Sequence, residues 1–381
     1  MRFPDYDRNS LSITASVMNY FGVKMGYPCL PELDEALKGA APRVVILMVL
    51  DGMGENLLRR RLPENSFFRT HDVCPLSAVF PSTTTAATTS IWSGLSPLEH
   101  GWLGWSLYFK ECGRQIDTFL NRDSHTGEAY PGPSPAETLM PVPSGFVRLN
   151  GKVETHAVFP FPSYSTNGAD FVHIYDGRDF ADCARVVREV SAEPGRKLVC
   201  VYFSEPDHTM HETGVASERT QQNFDSLNAQ AEALAKALPR DALMLITADH
   251  GLVDATERID LAQIPQLNEC LLMPPSIEAR AASLFVKPGR KLQFEREFKA
   301  VCGDEFVLIP HEEVFSSHLL GRGTPHPKCE DFVGDYLACA VGKSYLRYTT
   351  LATKPFTLIG QHAGLTDDEM LVPLILARGE A

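Results

Sequence analysis

Short apolar runs, separated by amphipathic stretches, dominate the pattern of hydrophobic and polar positions along the chain. Runs of this length are typical of strands that are buried on both faces. Apolar residues also recur at helical spacing over residues 178–192 and about 217–238. Strands that alternate with helices predict an α/β fold with a mostly parallel central sheet and helices on both faces. The apolar runs cover residues 43–54, 197–211, 242–251 and, more weakly, 356–364.

This alternation breaks down between residues 265 and 350. The stretch ASLFVKPGRKLQFEREFKAVCGDEFVLIP within it predicts a strand, a helix and a second strand, and a Gly/Pro-rich stretch follows. We interpret residues 265–350 as a smaller α+β cap, inserted into a core formed by residues 1–264 and 351–381. Residues 121–150 are rich in proline and glycine and predict a lid or a surface loop.

Composition and charge limit the kinds of molecule that the protein is expected to bind. The 381 residues carry a formal net charge of −13, which argues against binding of a nucleic-acid polymer or an anionic membrane. An anionic small molecule remains compatible, because bound metal ions can reverse the local field. No apolar run approaches about 18 residues, and the first residues lack the pattern of a signal peptide. Nine cysteines without a CxxC pair indicate free thiols, so we expect a cytoplasmic protein.

Acids and histidines collect where the predicted strands end. In open α/β sheets, ligands bind outside the carboxyl ends of the strands, so these side chains should meet at one edge. Each residue alone has an ordinary explanation, such as a turn after a strand, and His208 is expected to point elsewhere. Their joint occurrence predicts a metal site, with a mixed nitrogen and oxygen donor set suited to Zn²⁺ or Mn²⁺. The residues are Asp51, Asp207, His211, Asp249, His250 and His362.

The stretch FPSTTTAATTSIWSG, residues 80–94, is unusually rich in hydroxyls. A strand over residues 72–80, stopped by Pro81, and a short helix closed by Gly94 would place residues 82–85 at a helix N-terminus. One interpretation is N-capping, which is common for serine and threonine. The other is a nucleophile at the positive end of the helix dipole, where backbone N–H groups can hold an anion. The composition alone does not choose between the hydroxyls.

Five motifs together resemble the alkaline phosphatase superfamily, specifically its type I phosphodiesterase / nucleotide pyrophosphatase-like branch, near the phosphonoacetate hydrolases. Each motif alone is weak, but their order and spacing cover most of the chain. The motifs are VLDGMG (49–54), FPSTTTAATTSIWSGLSPLEHG (80–101), EPDHTMH (205–211), TADHG (247–251) and GQHAGLTDDEM (360–370).

The resemblance implies an alkaline phosphatase-like core and a two-metal hydrolase of phosphate esters or phosphoanhydrides. It implies Thr84 as the nucleophile, which would form a phosphothreonine intermediate with a small anionic phosphorylated substrate. Two divalent metal ions are implied, Zn²⁺ first and Mn²⁺ as the alternative. The implied ligands are Asp207, His211 and His362 for one ion, and Asp51, Asp249, His250 and Thr84 for the other.

One departure from the family pattern concerns the substrate. Phosphodiesterase members usually have an asparagine in a pattern like HGxxxN, whereas this sequence reads HGWLGW and has Trp105 at that place. Another donor, such as Ser106, would then serve, or the substrate differs. Related hydrolysis of phosphonates, phosphomonoesters or sulfate esters therefore stays open, as does a metal-binding protein without turnover. A typical sulfatase is disfavoured, since that branch needs Cys or Ser where Thr84 stands.

Overall fold

The structure is a computed structural model and describes residues 1–350 and 358–381. None of the helices in this part of the chain combines the length and the hydropathy that a membrane-spanning helix requires. Its strands are β1 Val44–Leu50, β2 Asp72–Ser77, β3 Ser106–Phe109, β4 Arg114–Asp117, β5 Arg122–Asp123, β6 Glu154–Phe159, β7 Phe171–Ile174, β8 Lys197–Phe203, β9 Ala242–Thr247, β10 Val253–Asp254, β11 Glu257–Asp260, β12 Ser276–Ile277, β13 Ala281–Leu284, β14 Phe306–Pro310, β15 Tyr336–Ala340, β16 Ser344–Arg347, β17 Gly360–Gln361 and β18 Leu371–Arg378.

The helices vary from single turns to a helix of 20 residues. They are α1 Ser10–Tyr20, α2 Pro31–Ala40, α3 Glu55–Arg61, α4 Phe67–His71, α5 Thr84–Ser93, α6 Pro97–His100, α7 Pro135–Leu139, α8 Phe180–Ala192, α9 Asp207–Thr213, α10 Glu218–Ala237, α11 Pro265–Asn268, α12 Lys291–Cys302, α13 His311–Ser316, α14 Pro327–Phe332 and α15 Asp367–Met370.

A seven-stranded sheet forms the centre of the fold, in the order β2-β18-β9-β1-β8-β6-β7. The strands β9, β1, β8, β6 and β7 run parallel, whereas β18 pairs antiparallel with β9 and β2. Every residue of β1, β8 and β9 is buried, because helices and loops cover both faces of the sheet. The predicted α/β class with a mostly parallel central sheet is therefore confirmed.

Individual elements follow the predicted pattern closely. The apolar runs at 43–54, 197–211 and 242–251 contain β1, β8 and β9, and the two predicted helices are α8 and α10. The outer strands β7 and β6 on one side of the sheet, and β18 on the other, lie outside the predicted runs. The predicted strand over 356–364 includes residues 356 and 357, which lie outside the described residues. Within the rest of that run, two residues form β17.

A second seven-stranded sheet has the order β14-β15-β13-β12-β3-β4-β5, and its neighbouring strands are antiparallel. Strands β12 to β15 come from the region interpreted as a cap, and β13, α12 and β14 confirm the strand, helix and strand predicted there. Strands β3 to β5 come from residues 106–123, so two distant segments build one sheet. Its apolar side chains pack with those of α14 and of residues near Leu98 and Leu320.

Candidate active site

The carboxyl ends of three neighbouring parallel strands meet at one edge of the central sheet. Asp51 follows β1, Asp207 begins α9 just after β8, and Asp249 and His250 follow β9. His362 comes directly after β17, which contacts α9. The structure therefore brings together all the acids and histidines that the strand ends predict.

These side chains form two groups, each with candidate ligand atoms within 4.8 Å of one another. One group consists of Asp207, His211 and His362, and the other of Asp51, Asp249 and His250. The rings of His250 and His362 stack with their centroids 3.9 Å apart, so the two groups are adjacent. This division is the one that the family resemblance implies.

Within each group, nitrogen and oxygen atoms face each other at short range. His211 Nε2 lies 3.2 Å from Asp207 Oδ2, one helical turn away on α9. His250 Nε2 lies 3.4 Å from Asp51 Oδ1 and 3.6 Å from Asp249 Oδ2. Nitrogen and oxygen atoms this close together could bind one metal ion in each group.

Gly52 allows this close approach of separate strand ends. Its φ of +72° lies in the left-handed region, and a Cβ at this position would stand 2.9 Å from the Cβ of Asp207. Its backbone N–H donates to Asp249 Oδ1 at 3.1 Å. A larger residue would therefore disturb Asp207 in one group and Asp249 in the other.

Neighbouring atoms hold several of these side chains in orientation. The Tyr202 hydroxyl donates to Asp51 Oδ2, and the Gly360 carbonyl oxygen lies 2.7 Å from His211 Nδ1. The Gly251 carbonyl oxygen lies 3.1 Å from His250 Nδ1. A histidine that binds a carbonyl through one ring nitrogen directs the other into the site, which is the usual arrangement for metal ligands.

The buried acids fit a cation. Burial, with the neighbouring charges of Asp249 and Asp207, raises the pKa of Asp51 well above its ordinary value. Asp51 Oδ1, Asp207 Oδ1 and Asp249 Oδ2 are buried and accept no hydrogen bond from any described residue. Buried carboxylate oxygens without partners are costly, and a bound divalent cation would satisfy them. The residues present therefore suit divalent metal ions.

Thr84 is the first residue of α5, and its side chain points at the group that contains Asp51, Asp249 and His250. Its Oγ1 lies 3.1 Å from His250 Nε2, and only 9% of the residue surface is exposed. As predicted, α5 begins within the threonine run and is followed by Gly94. The N–H groups of a first helical turn have no intrahelical acceptors, so they are available to an anion beside Thr84.

The neighbouring hydroxyls have other surroundings. Thr83 is the N-cap residue of α5, yet its side chain makes no capping bond and donates to Glu278 Oε1 at 2.7 Å. The capping role considered for these hydroxyls is therefore not found at Thr83, whose oxygen accepts no backbone N–H of α5. Thr85 Oγ1 is buried and has no hydrogen-bond partner among the described residues.

A cavity of about 670 Å³ opens over the two groups and Thr84. Its walls include Glu278 and Arg122 from the second sheet, and Trp105 is among its aromatic residues. The Ser106 hydroxyl, considered as a replacement donor, donates to Ser124 Oγ at 2.7 Å instead. The cavity thus joins a polar floor to largely aromatic walls. The aromatic lining residues are Trp92, Trp102, Trp105, Phe119, Phe159, Phe161 and Tyr202.

Two residues of the site, Tyr202 and Glu278, were not identified from the sequence. Tyr202 is one more apolar-run residue in β8, and Glu278 follows a proline pair with no motif around it. The role of Tyr202 appears when β8 is paired with β1, and that of Glu278 appears only when the two sheets are placed together. His208, expected to point away, pairs with Glu212 at 3.2 Å and Arg178 at 2.8 Å at the cavity wall.

Comparisons with known proteins agree with this arrangement. The sequence model of the type I phosphodiesterase / nucleotide pyrophosphatase family matches residues 45–301, more than half of the chain. Among curated protein sequences, none matches this chain.

Two kinds of enzyme are among the solved structures that share this fold. Murine ectonucleotide pyrophosphatase / phosphodiesterase 5 is 18% identical, with 88% of each chain covered and a TM-score of 0.66. An inactive threonine-to-alanine variant of that murine protein, in complex with AMP, is 17% identical, with 88% of each chain covered and a TM-score of 0.64. Phosphonoacetate hydrolase from Sinorhizobium meliloti 1021, in complex with phosphonoformate, is 17% identical, covering 89% of this chain and 91% of its own, with a TM-score of 0.63.

Proposed function

The chain belongs to the type I phosphodiesterase / nucleotide pyrophosphatase family, a family of enzymes, and on this premise we propose that it hydrolyses phosphate esters or phosphoanhydrides through Thr84. The observation that carries the proposal is the position of Thr84 Oγ1, 3.1 Å from His250 Nε2, at a helix N-terminus beside two Asp/His groups. A nucleophile, its activating groups and an anion site are thereby within one cavity.

Two divalent metal ions, Zn²⁺ or alternatively Mn²⁺, complete the proposed site. Asp207, His211 and His362 would hold one ion. Asp51, Asp249 and His250, with the Thr84 hydroxyl, would hold the other. Bound divalent cations would supply Lewis-acid activation of a hydroxyl or water and would offset negative charge on phosphoryl oxygens.

The chain's own residues then account for the steps at phosphorus. The Thr84 hydroxyl gives its proton to water, and its Oγ forms a bond to phosphorus while the bond from phosphorus to the leaving-group oxygen breaks. The leaving group departs as an oxyanion that takes up a proton from water, which leaves a phosphothreonine, still esterified when the substrate is a diester. Water then attacks the same phosphorus, the bond to Thr84 Oγ breaks, and the hydroxyl regains its proton. The first N–H groups of α5 stabilise the negative phosphoryl oxygens in both steps. The inactive threonine-to-alanine variant of the murine relative supports a threonine in this role.

We propose that the second sheet acts as the cap that sets specificity. Residues 265–350 contribute Glu278 to the cavity, and residues 102–122 contribute aromatic side chains and Arg122. Phosphonate hydrolysis is the second candidate, because the fold matches the phosphonoacetate hydrolase nearly as well as the murine phosphodiesterase. The rates of hydrolysis of a diester, a monoester, a nucleotide anhydride and a phosphonate, measured side by side, would distinguish phosphate hydrolysis from phosphonate hydrolysis.

Metal removal and two matched threonine variants test the proposal. Dialysis against a chelator should abolish hydrolysis of bis(p-nitrophenyl) phosphate, and Zn²⁺ or Mn²⁺ should restore it. Thr84→Ala should lower turnover by about a thousandfold or more, because the covalent route is lost. Thr85→Ala removes a hydroxyl one residue away, and we expect it to cost less than about tenfold. Full activity of metal-free protein or of Thr84→Ala would contradict the proposal.

A further inference from the structure

Glu278 is a partly buried carboxylate that contacts Thr83 from the second sheet and shares the cavity with Thr84. It lies in the turn between β12 and β13 and lines the cavity. Its Oε1 accepts hydrogen bonds from Thr83 Oγ1 and from the Trp105 backbone N–H, both at 2.7 Å. Its Oε2 accepts none from the described residues. One oxygen is thus anchored to the loop that precedes α5, and the other remains available to the cavity.

The backbone beside Glu278 is held in an uncommon conformation. Ile277 has a φ of +77°, in the left-handed region that β-branched residues rarely adopt. It packs against Gly104, where an added Cβ would come within 2.7 Å of Ile277 Cγ2 and 2.8 Å of its carbonyl oxygen. Strain of this kind persists only where the surroundings enforce it, and it is concentrated at functional sites. The packing therefore fixes the direction in which Glu278 points.

Apart from histidines, the cavity offers little positive charge to balance this carboxylate. Among the lining residues that the structure describes, Arg122 is the one lysine or arginine, and its Nε donates to Asp117 Oδ2 at 2.8 Å. Partial burial raises the pKa of Glu278 to about 7, and because pH 8 lies above this value the group is mainly negative at that pH. A phosphoryl group next to Thr84 thus meets a negative charge on the side of the second sheet.

Building on the proposed function, we propose that Glu278 is a specificity-determining residue that disfavours a doubly charged transferred phosphoryl group. A phosphomonoester carries two negative charges above about pH 6, whereas a diester carries one. In a partly buried site the extra repulsion is substantial, because the effective dielectric constant is far below that of water. Glu278 would therefore select diesters over monoesters.

The test compares bis(p-nitrophenyl) phosphate with p-nitrophenyl phosphate at pH 8 in the metal-loaded protein. Glu278→Gln keeps the volume and the Oε1 acceptor for Thr83 and Trp105, and it removes only the charge. The ratio of kcat/KM for the monoester to that for the diester should rise by about tenfold or more. Glu64→Gln, at a side chain that is 91% exposed, makes the same change in net charge and should leave the ratio within about twofold.

The outcomes separate this inference from the function on which it rests. A ratio that is unchanged or lower in Glu278→Gln overturns the inference, even if both activities fall together. If Glu278→Gln does not fold, as judged by its thermal melt, Glu278→Met removes the same charge and is held to the same result. A metal-loaded wild type that hydrolyses neither substrate overturns the proposed function, and this inference with it.

Discussion

The ion pair between Arg280 and Glu369 offers a quantitative test of how the second sheet is joined to the site. Both residues are 0% exposed. Arg280 Nε and Nη2 donate to the two carboxylate oxygens at 2.7 and 2.8 Å. Glu369 also accepts from the Gly364 N–H at 2.8 Å, two residues after His362, and its carbonyl accepts from the Gly251 N–H at 2.9 Å. The pair therefore connects the second sheet to the loops that carry His250 and His362.

Arg280→Met should lower the free energy of unfolding by about 3–5 kcal/mol, because it leaves the Glu369 carboxylate buried without its counter-charge. The substitution also removes the donors to the Ser344 and Gly342 carbonyl oxygens, at 2.6 and 2.8 Å. Arg280→Lys keeps a positive charge but loses the planar two-pronged geometry, so we expect a smaller loss. Urea unfolding of chelator-treated protein, followed by circular dichroism, measures these differences without a contribution from bound metal.

The matched control is Arg185→Met, which removes an arginine with an equally well-formed pair on the surface. Arg185 contacts Asp182 and Glu189 at 2.6 and 2.8 Å, but its side chain is 48% exposed. Exposed pairs contribute about 0–1 kcal/mol, so this variant should unfold near the wild-type midpoint. If Arg280→Met loses less than about 1 kcal/mol, or no more than Arg185→Met, the reasoning about the buried pair is wrong.

Two further predictions concern ionisation and thiols. Burial and the Glu55 carboxylate raise the pKa of Asp72 to about 7, so the folded chain should lose stability as pH rises from about 4 to about 7. Asp72→Asn should flatten this dependence; equal changes in urea midpoint between pH 5 and pH 8 for both proteins would contradict it. All nine cysteines are unpaired in the structure, so titration of denatured, unreduced protein should detect nearly nine thiols. Recovery of a single thiol would instead mean four disulfides and would argue against the cytoplasmic location that the cysteine pattern predicts.

The parts of the fold that the sequence predicted are those with strong local signals. The buried strands β1, β8 and β9 are continuous apolar runs, and α8 and α10 have clear helical periodicity. Strand β7 has three residues about half exposed, Phe171, Val172 and Ile174, so its pattern lacks the signature of a buried strand. The second sheet combines strands from residues 106–123 with strands from residues 276–340, and no local pattern reports a pairing over that distance.

The residues of the site likewise fall into those that a sequence signal predicted and those that no sequence signal predicted. Asp51, Asp207 and Asp249 could be predicted as neighbours because parallel strands end at one edge of a sheet. Choosing Thr84 among adjacent hydroxyls required the family resemblance, since Thr83 and Thr85 are equivalent in composition. Glu278 could not be predicted, because its position depends on the turn between β12 and β13 reaching the threonine loop across the cavity.

The most direct test of the central claim is to identify the residue that becomes phosphorylated during turnover. Metal-loaded protein would be mixed with bis(p-nitrophenyl) phosphate and quenched in acid within the first turnover. The peptide containing residues 80–94 would then be sequenced by mass spectrometry. We predict a substrate-derived phosphoryl group on Thr84, absent from Thr84→Ala. A phosphoryl group on Thr83 or Thr85 of the wild type, or its presence in Thr84→Ala on a neighbouring hydroxyl with normal turnover, would contradict Thr84 as the nucleophile.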